Sequence, residues 1–169
     1  MVHELEKIRS PGNGCESEER ARVVNVARSW VGTPYHSGGR VKGKGGGVDC
    51  LTVLAEVFSE AGLVPRVPIP YYPHDWHLHR SVERYLEGLL KYTHEIQGPP
   101  KPGDIVLWKF GRCFSHGAIV INWPQVIHAY VGSSVRFENA EAAQWLRFIG
   151  ENVAERGKPR PVRYFSFWG

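Results

Sequence analysis

Residues 45–62 read GGGVDCLTVLAEVFSEAG and place a cysteine at the start of an amphipathic helix. Asp49 is suited to cap this helix, apolar residues recur at helical spacing after it, and Gly62 can end it in a left-handed conformation. Cys50 would lie in the first turn, where unpaired N–H groups and the helix dipole stabilise an anion. The sequence therefore predicts that the pKa of the Cys50 thiol is lowered and that thiolate is available near neutral pH. The alternative is a small buried core residue, the commonest role of cysteine.

Helical periodicity dominates the first half of the chain, and strand periodicity dominates the second half. Further helices are predicted at residues 17–31, starting at Ser17, and at residues 82–90. The Gly- and Pro-rich residues 98–103 mark the change from one period to the other. Strands are predicted at 104–110, 116–122, 125–130, 134–138 and 162–167, with a short helix at 140–148. This order predicts an α+β fold in which N-terminal helices pack on a C-terminal antiparallel sheet of about five strands.

Length and charge limit what the chain can be. It has 169 residues, enough for a single domain with its own core, which we place at residues 17–169 behind a flexible arm at residues 1–16. The net charge is +4, but the basic residues are scattered, so we expect no nucleic-acid partner. No apolar stretch is long enough for membrane insertion, and the first ten residues, MVHELEKIRS, lack the apolar core of a secretory signal.

The other cysteines and a histidine cluster do not predict a metal site. Three cysteines are too few and too widely spaced for a disulfide framework or a zinc motif. His74, His77 and His79 lie close together in a proline-rich segment, but no Cys or carboxylate pattern completes a site. We therefore interpret them as surface histidines and expect neither a metal nor another cofactor.

Two histidines can complete a reactive site with Cys50. His116 opens the second predicted strand and His128 lies near the end of the third, across a turn at Trp123-Pro124. In a hairpin the two side chains share a face if the loop has an odd number of residues, and lie on opposite faces if the number is even. The spacing permits a relay in which Cys50 attacks, His116 is the base and His128 orients the base. The alternative for His128 is a core histidine satisfied by backbone groups.

Several segments together resemble a known family. In chain order they are ARSWVGTPYHSGG, VDCLTVLAEVF, PYYPHDW, KPGDIVLWKF, SHGAIVI and VIHAY, and they extend from about residue 27 to residue 130. The order of the GTPY, DC, PGD and histidine-containing elements is similar to that in the NlpC-type cell-wall cysteine peptidases, which are papain-like. Within that family the chain most resembles the branch found in phage tails and prophages.

The resemblance implies roles for five residues. It carries over Cys50, His116 and His128 as the catalytic set. It implies that Tyr35 forms a wall of the substrate groove, with its hydroxyl near the oxyanion, and that Asp49 is a groove residue able to meet a substrate amine. The chain departs from the family where Leu51 and Thr52 follow the cysteine, because many relatives have a small glycine there, and in the glycine-rich insertion before Val48.

The family also implies a reaction and a setting. The implied reaction is hydrolysis of an amide in peptidoglycan stem peptides, at the bond between γ-D-glutamyl and a diamino acid. The implied setting is local wall degradation by a protein of a phage tail or prophage, with phage tail proteins as further partners. Such a protein would be made in the cytoplasm and act in the virion tail or in the periplasm and cell wall. The alternatives are an N-acetylmuramoyl-alanine amidase or acyltransferase on the same scaffold, and a non-catalytic wall-binding or tail-structural module.

Overall fold

The computed structural model describes residues 14–73, 83–143 and 157–169. Three helices lie in these ranges: α1 Glu16–Ser29, α2 Cys50–Glu60 and α3 Arg84–Leu90. The strands are β1 Arg40–Val41, β2 Gly47–Val48, β3 His94–Ile96, β4 Ile105–Phe110, β5 Cys113–Asn122, β6 Gln125–Ala129, β7 Val135–Asn139 and β8 Val162–Ser166. Helix α1 begins one residue before the predicted Ser17.

Strands β3 to β8 form one antiparallel sheet in the order β3-β8-β4-β5-β6-β7. The predicted α+β class, with helices packed on an antiparallel sheet, is confirmed. The sheet has one strand more than the five predicted, because β3 has three residues and is too short to show a period in the sequence. Its pairing partner β8 lies near the end of the chain, where Ser166 is opposite His94.

The glycine-rich insertion before α2 forms a small hairpin of its own. β1 and β2 pair in antiparallel fashion, with Arg40 opposite Val48 and Val41 opposite Gly47. A Cβ atom on Gly46 would lie 2.0 Å from the carbonyl oxygen of Val41, so only glycine fits this turn. The hairpin leads directly into the cap of α2.

The short helix predicted at residues 140–148 is absent from the part that the structure describes. Residues 140–142 form a turn, in which Asn139 Oδ1 accepts the N–H groups of Glu141 and Ala142 at 3.0 Å. An asparagine side chain stabilises such a turn by bonding to the backbone two and three residues ahead. Residues 144–148 lie outside the described ranges, as do residues 1–13 of the predicted arm.

Each face of the sheet carries an apolar cluster. The larger one joins α1 and α2 to the sheet through fully buried side chains such as Val23, Val57 and Ile119. The smaller one, on the opposite face, includes Val106 and Trp108. Because α2 contacts both β5 and β6, its first residue is held near the strands that carry the two predicted histidines.

The turn before β4 and the end of β8 are both tied to α1. Asp104 accepts the N–H of Lys101 at 2.7 Å and Arg20 Nη1 at 2.9 Å, and Arg20 also donates to the carbonyl of Pro102. At the other end, the indole N–H of Trp168 donates to buried Glu19 at 2.7 Å. The PGD element quoted above therefore has a structural role, because it fixes the start of a central strand.

Candidate active site

Cys50 is fixed in the first turn of α2 by the residues that flank it. Asp49 Oδ1 accepts the N–H groups of Leu51 at 3.0 Å and Thr52 at 2.9 Å. In return, the Thr52 hydroxyl accepts the N–H of Asp49 at 2.9 Å, which completes a capping box. The predicted cap is confirmed, and Thr52 takes the part that Glu or Gln usually plays.

The Cys50 thiol faces the first residues of β5. Its Sγ lies 3.6 Å from the carbonyl oxygen of Ser115. The N–H of Gly117, together with the N–H groups of Cys50 and Leu51, favours the thiolate. The sulfur therefore lies against main chain on both sides of His116.

The predicted lowering of the thiol pKa is wrong for this arrangement. Although part of Cys50 is solvent-accessible, burial of the thiol raises the pKa of Cys50 to about 12, and the negative charge of Asp49 adds to the rise. The backbone N–H groups lower the pKa by less than burial raises it. The sequence pattern shows the helix start but not the depth of the thiol or the direction of the capping carboxylate. Cys50 is thus a neutral thiol that needs a base to remove its proton.

His116 and His128 meet on one face of the β5–β6 hairpin. His116 Nε2 lies 2.9 Å from His128 Nδ1, and the two rings are nearly perpendicular, at 86°. Both residues are buried, with exposed fractions of 9% and 0%. The predicted shared face and hydrogen-bond distance are confirmed, whereas the catalytic role of the pair stays a prediction.

The shared face depends on a β-bulge. The loop between β5 and β6 has two residues, Trp123 and Pro124, and this even number alone would separate the two histidines. A register shift between Val120 and Asn122 leaves Ile121 as an extra residue in β5. The extra residue makes the total odd, and the two side chains return to one face.

Burial keeps His128 neutral. It lowers the pKa of His128 to about 4; the Arg136 guanidinium, opposite on β7, lowers it further, and Glu138 raises it. A neutral His128 can accept a hydrogen bond at Nδ1, which fits the tautomer in which His116 Nε2 donates. That tautomer leaves Nδ1 of His116 able to accept a proton.

Three tyrosines face the Cys50 turn, and only Tyr35 is expected from the sequence. The Tyr85 hydroxyl donates to the carbonyl oxygen of Cys50 at 2.9 Å, and the Tyr72 hydroxyl donates to Asp49 Oδ2. Burial is the largest cause that raises the pKa of each phenol, and the negative charge of Asp49 raises it further. All three hydroxyls therefore stay protonated and can act as hydrogen-bond donors.

One feature of the sequence, a glycine, is consistent with a place for Tyr85 at the site, and no feature of the sequence indicates Tyr72. A Cβ atom on Gly117 would lie 2.2 Å from the Tyr85 hydroxyl, so the glycine after His116 provides the space for that ring. Tyr72 belongs to the PYYPHDW segment, where nothing in the pattern distinguishes it from Tyr71.

Asp49 does not line an open groove, which differs from the position that the resemblance implies. The residue is 2% exposed, and its Oδ2 accepts the N–H of Gly38 at 2.7 Å in addition to the Tyr72 hydroxyl. With Oδ1 engaged in the helix cap, both oxygens bond within the protein. Asp49 therefore anchors the glycine-rich loop to the start of α2.

No metal centre is found in the described ranges. Among residues 14–73, 83–143 and 157–169, no group of three or more His, Cys, Asp or Glu side chains could hold a metal ion. The cluster of His74, His77 and His79 lies outside these ranges. In the same part of the chain, no helix has the length and apolarity needed to cross a membrane.

The fold and the site define a mixed α+β domain with a cysteine at a helix start and a hydrogen-bonded histidine pair on its sheet. The sequence profile of the NlpC/P60 family matches residues 32–152, more than half of the chain. The chain therefore belongs to the NlpC/P60 family. None of the curated proteins matches the sequence significantly.

Solved structures share the fold at low sequence identity. The NlpC/p60 domain of the peptidoglycan hydrolase SagA is 21% identical, with 85% of this chain and 96% of that chain covered and a TM-score of 0.50. The P60 domain of antigen MAP1204 from M. avium subspecies paratuberculosis is 17% identical, with 89% and 96% covered and a TM-score of 0.53. NlpC2 from Trichomonas vaginalis is 15% identical with a TM-score of 0.59; 92% of this chain is covered, but the match spans only 47% of NlpC2.

Proposed function

We propose that the protein is a cysteine peptidase that hydrolyses amide bonds in peptidoglycan stem peptides. One observation carries the proposal: the Cys50 thiol lies against the stretch of β5 that carries His116, whose ring is hydrogen-bonded to His128. A nucleophile, a base and an orienting group in this order are the parts of a thiol hydrolase. Membership of the NlpC/P60 family supports the same reaction, and the similar SagA domain comes from a peptidoglycan hydrolase.

The first half of the reaction is acylation of the thiol. His116 Nδ1 takes the proton of Cys50 Sγ while the sulfur attacks the carbonyl carbon, because a thiol with a pKa of about 12 is not ionised beforehand. His128 accepts the hydrogen bond from His116 Nε2 and stabilises the charged ring. The N–H of Cys50 and the Tyr35 hydroxyl donate to the oxyanion.

The second half releases both products. The imidazolium of His116 gives its proton to the leaving amine as the C–N bond breaks, which leaves a thioester on Cys50. Water then attacks the thioester carbonyl while His116 takes a proton from the water. The free acid leaves, the thiol regains the proton, and the neutral pair is restored.

For the scissile bond and the setting, the proposal rests on the resemblance. The bond is the one between γ-D-glutamyl and a diamino acid. The setting is local thinning of the wall by a phage-tail or prophage protein that acts from the virion tail or in the periplasm. Phage tail proteins are its proposed partners there.

Digestion of purified sacculi followed by mass analysis of the products tests the reaction. Wild-type protein should release fragments cut between γ-D-glutamyl and the diamino acid, and Cys50→Ala should release none. Release of complete stems from the glycan would instead identify an amidase. Binding to sacculi without any product from wild-type protein would identify a non-catalytic wall-binding module.

A further inference from the structure

A carboxylate next to the nucleophile would normally select for a cationic group on the substrate. Asp49 immediately precedes Cys50, and its charge raises the pKa of the Cys50 thiol and of the phenols of Tyr35 and Tyr72. An ammonium group bound close to the thiol would be attracted to the same charge and would form a strong, charge-assisted hydrogen bond with it. Whether an ammonium can bind there depends on how many hydrogen bonds the Asp49 carboxylate already accepts from the protein.

The Asp49 carboxylate accepts hydrogen bonds from five donor groups of the protein. Oδ1 accepts the N–H of Leu51 at 3.0 Å and both the N–H and the hydroxyl of Thr52 at 2.9 and 3.0 Å. Oδ2 accepts the N–H of Gly38 at 2.7 Å and the Tyr72 hydroxyl. Because each carboxylate oxygen offers about two lone-pair positions, both oxygens are fully occupied and a substrate ammonium finds no position left, whereas loss of the Tyr72 hydroxyl would free one position on Oδ2.

Tyr72 differs from the other donors in its origin and position. Leu51 and Thr52 belong to the helix cap and Gly38 to the adjoining loop, whereas Tyr72 comes from the extended segment after α2. Its side chain lines a cavity of about 730 Å³ beside α2, together with Leu51, and Asp49 does not line that cavity. Tyr72 therefore contacts both the carboxylate and a cavity that Asp49 itself does not reach, and it can be changed without removing the helix cap.

We propose that Tyr72 is a specificity-determining residue that shields Asp49, so that the enzyme gains nothing from a free amino group on the stem peptide and also accepts stems whose first amino group is acylated. The inference rests on the proposed function. Stems still attached to the glycan have this amino group in an amide and carry no charge there. Stems already released carry an ammonium, for which the shielded carboxylate offers no partner.

A matched pair of peptides tests the inference. One is L-alanyl-γ-D-glutamyl-diamino acid with a free amino group, and the other is the same peptide N-acetylated. Wild-type protein should cleave both with kcat/KM values within about tenfold of each other, since no ion pair distinguishes them. Tyr72→Ala should lower KM for the free-amine peptide by about tenfold or more and leave the acetylated peptide unchanged, because Asp49 Oδ2 becomes accessible.

Three further variants isolate the cause. Tyr72→Phe frees Asp49 Oδ2 but keeps the aromatic ring. It should therefore shift the ratio of kcat/KM for the free-amine peptide to kcat/KM for the acetylated peptide in the same direction as Tyr72→Ala, but by less. Tyr71→Phe removes the hydroxyl of the neighbouring tyrosine, which is 91% exposed, and should leave the ratio unchanged. Asp49→Asn combined with Tyr72→Ala should abolish the gain, since asparagine keeps a capping oxygen without the charge. The ratio of the two peptides is measured in one preparation, so a partly unfolded variant does not distort it.

The outcomes separate this inference from the proposed function. A wild-type preference for the free amine above about tenfold, unchanged in Tyr72→Ala, would overturn the shielding role and leave the peptidase function standing. A ratio that stays unchanged in both Tyr72 variants would overturn it as well. Cleavage of neither peptide and no product from sacculi would overturn the proposed function and this inference with it.

Discussion

Among single residues, the protonation states of Cys50 and His128 determine how the site works. Burial raises the pKa of the first to about 12 and lowers that of the second to about 4, so both are neutral at pH 7. In the proposed mechanism, the site then stores no thiolate–imidazolium pair, and charge develops only when the Cys50 proton moves to His116. This distinguishes it from a helix-start cysteine that is ionised at rest.

Substitutions of Cys50, His116 and His128 should reduce the rate of wall lysis to different extents. Cys50→Ala and His116→Ala should each reduce wall lysis by about 10³-fold or more, because neither acylation nor proton transfer survives the loss. His128→Ala should cost less, and His128→Asn or His128→Gln should retain more activity than His128→Ala because each keeps a polar partner for the His116 ring. Lysis rates of these variants are compared, with folding checked by circular dichroism. A folded Cys50→Ala protein that still cleaves stems would exclude the thiol mechanism, and wild-type rates in His128→Ala would reduce the site to a dyad.

Alkylation should reveal the raised thiol pKa once His116 is removed. In His116→Ala, the rate at which iodoacetamide labels Cys50 should rise by about tenfold per pH unit up to at least about pH 10, because the thiolate fraction grows in that proportion below the pKa. Exposed Cys15 in the same protein serves as the internal reference. Peptide mapping by mass spectrometry gives both rates. A plateau of Cys50 labelling near pH 8 would contradict the raised pKa.

At the level of elements, the site depends on how closely β5 approaches α2 and α3. Gly117 in β5 lies beneath the Tyr85 hydroxyl of α3, which in turn holds the Cys50 carbonyl. Gly117→Ala should lower the free energy of unfolding by about 1–3 kcal/mol, because the new Cβ would lie 2.2 Å from that hydroxyl and the tightly packed ring must shift. Urea denaturation measures the change.

Two variants control for the Gly117 prediction. Gly45→Ala adds the same methyl group where nothing lies within 4 Å, so it should not destabilise the protein. Tyr85→Phe in the Gly117→Ala background removes the closest atom and should restore part of the lost stability. Equal effects of Gly117→Ala and Gly45→Ala would show that the close approach does not matter.

The same elements show how far the sequence predicts this site. The α2 start and the Asp49 cap follow from local rules, because a capping residue and its helix are neighbours in sequence. The Ile121 bulge does not, since it is decided by strand pairing across the hairpin. The Tyr72 bond to Asp49 and the β3 pairing with β8 also join distant segments, and neither leaves a local pattern. The raised thiol pKa leaves no local pattern either, because burial is a property of the folded chain.

For the molecule as a whole, the buried His128 links folding to pH. The unfolded chain takes up a proton at His128 near pH 6.5, whereas the folded protein does so only near pH 4. Between these values the unfolded state binds more protons, so the free energy of unfolding falls as the pH falls from 6.5 to 4 and is constant, for this residue, above 6.5. The shift corresponds to roughly 3 kcal/mol at about 1.4 kcal/mol per pH unit.

This linkage predicts a pH-dependent difference between wild type and His128→Asn. From pH 7 to pH 4.5 the wild type should lose about 2–3 kcal/mol more stability than the variant, because asparagine has no proton to gain and the other titrating groups are common to both proteins. Urea denaturation of the two proteins at both pH values gives the difference directly. The variant will be less stable at pH 7 if it packs less well, but that offset is the same at both pH values and cancels. Equal losses of unfolding free energy in the two proteins would mean that His128 is protonated in the folded state at pH 4.5 as readily as in the unfolded chain. His116 would then lose its neutral orienting partner at pH 4.5.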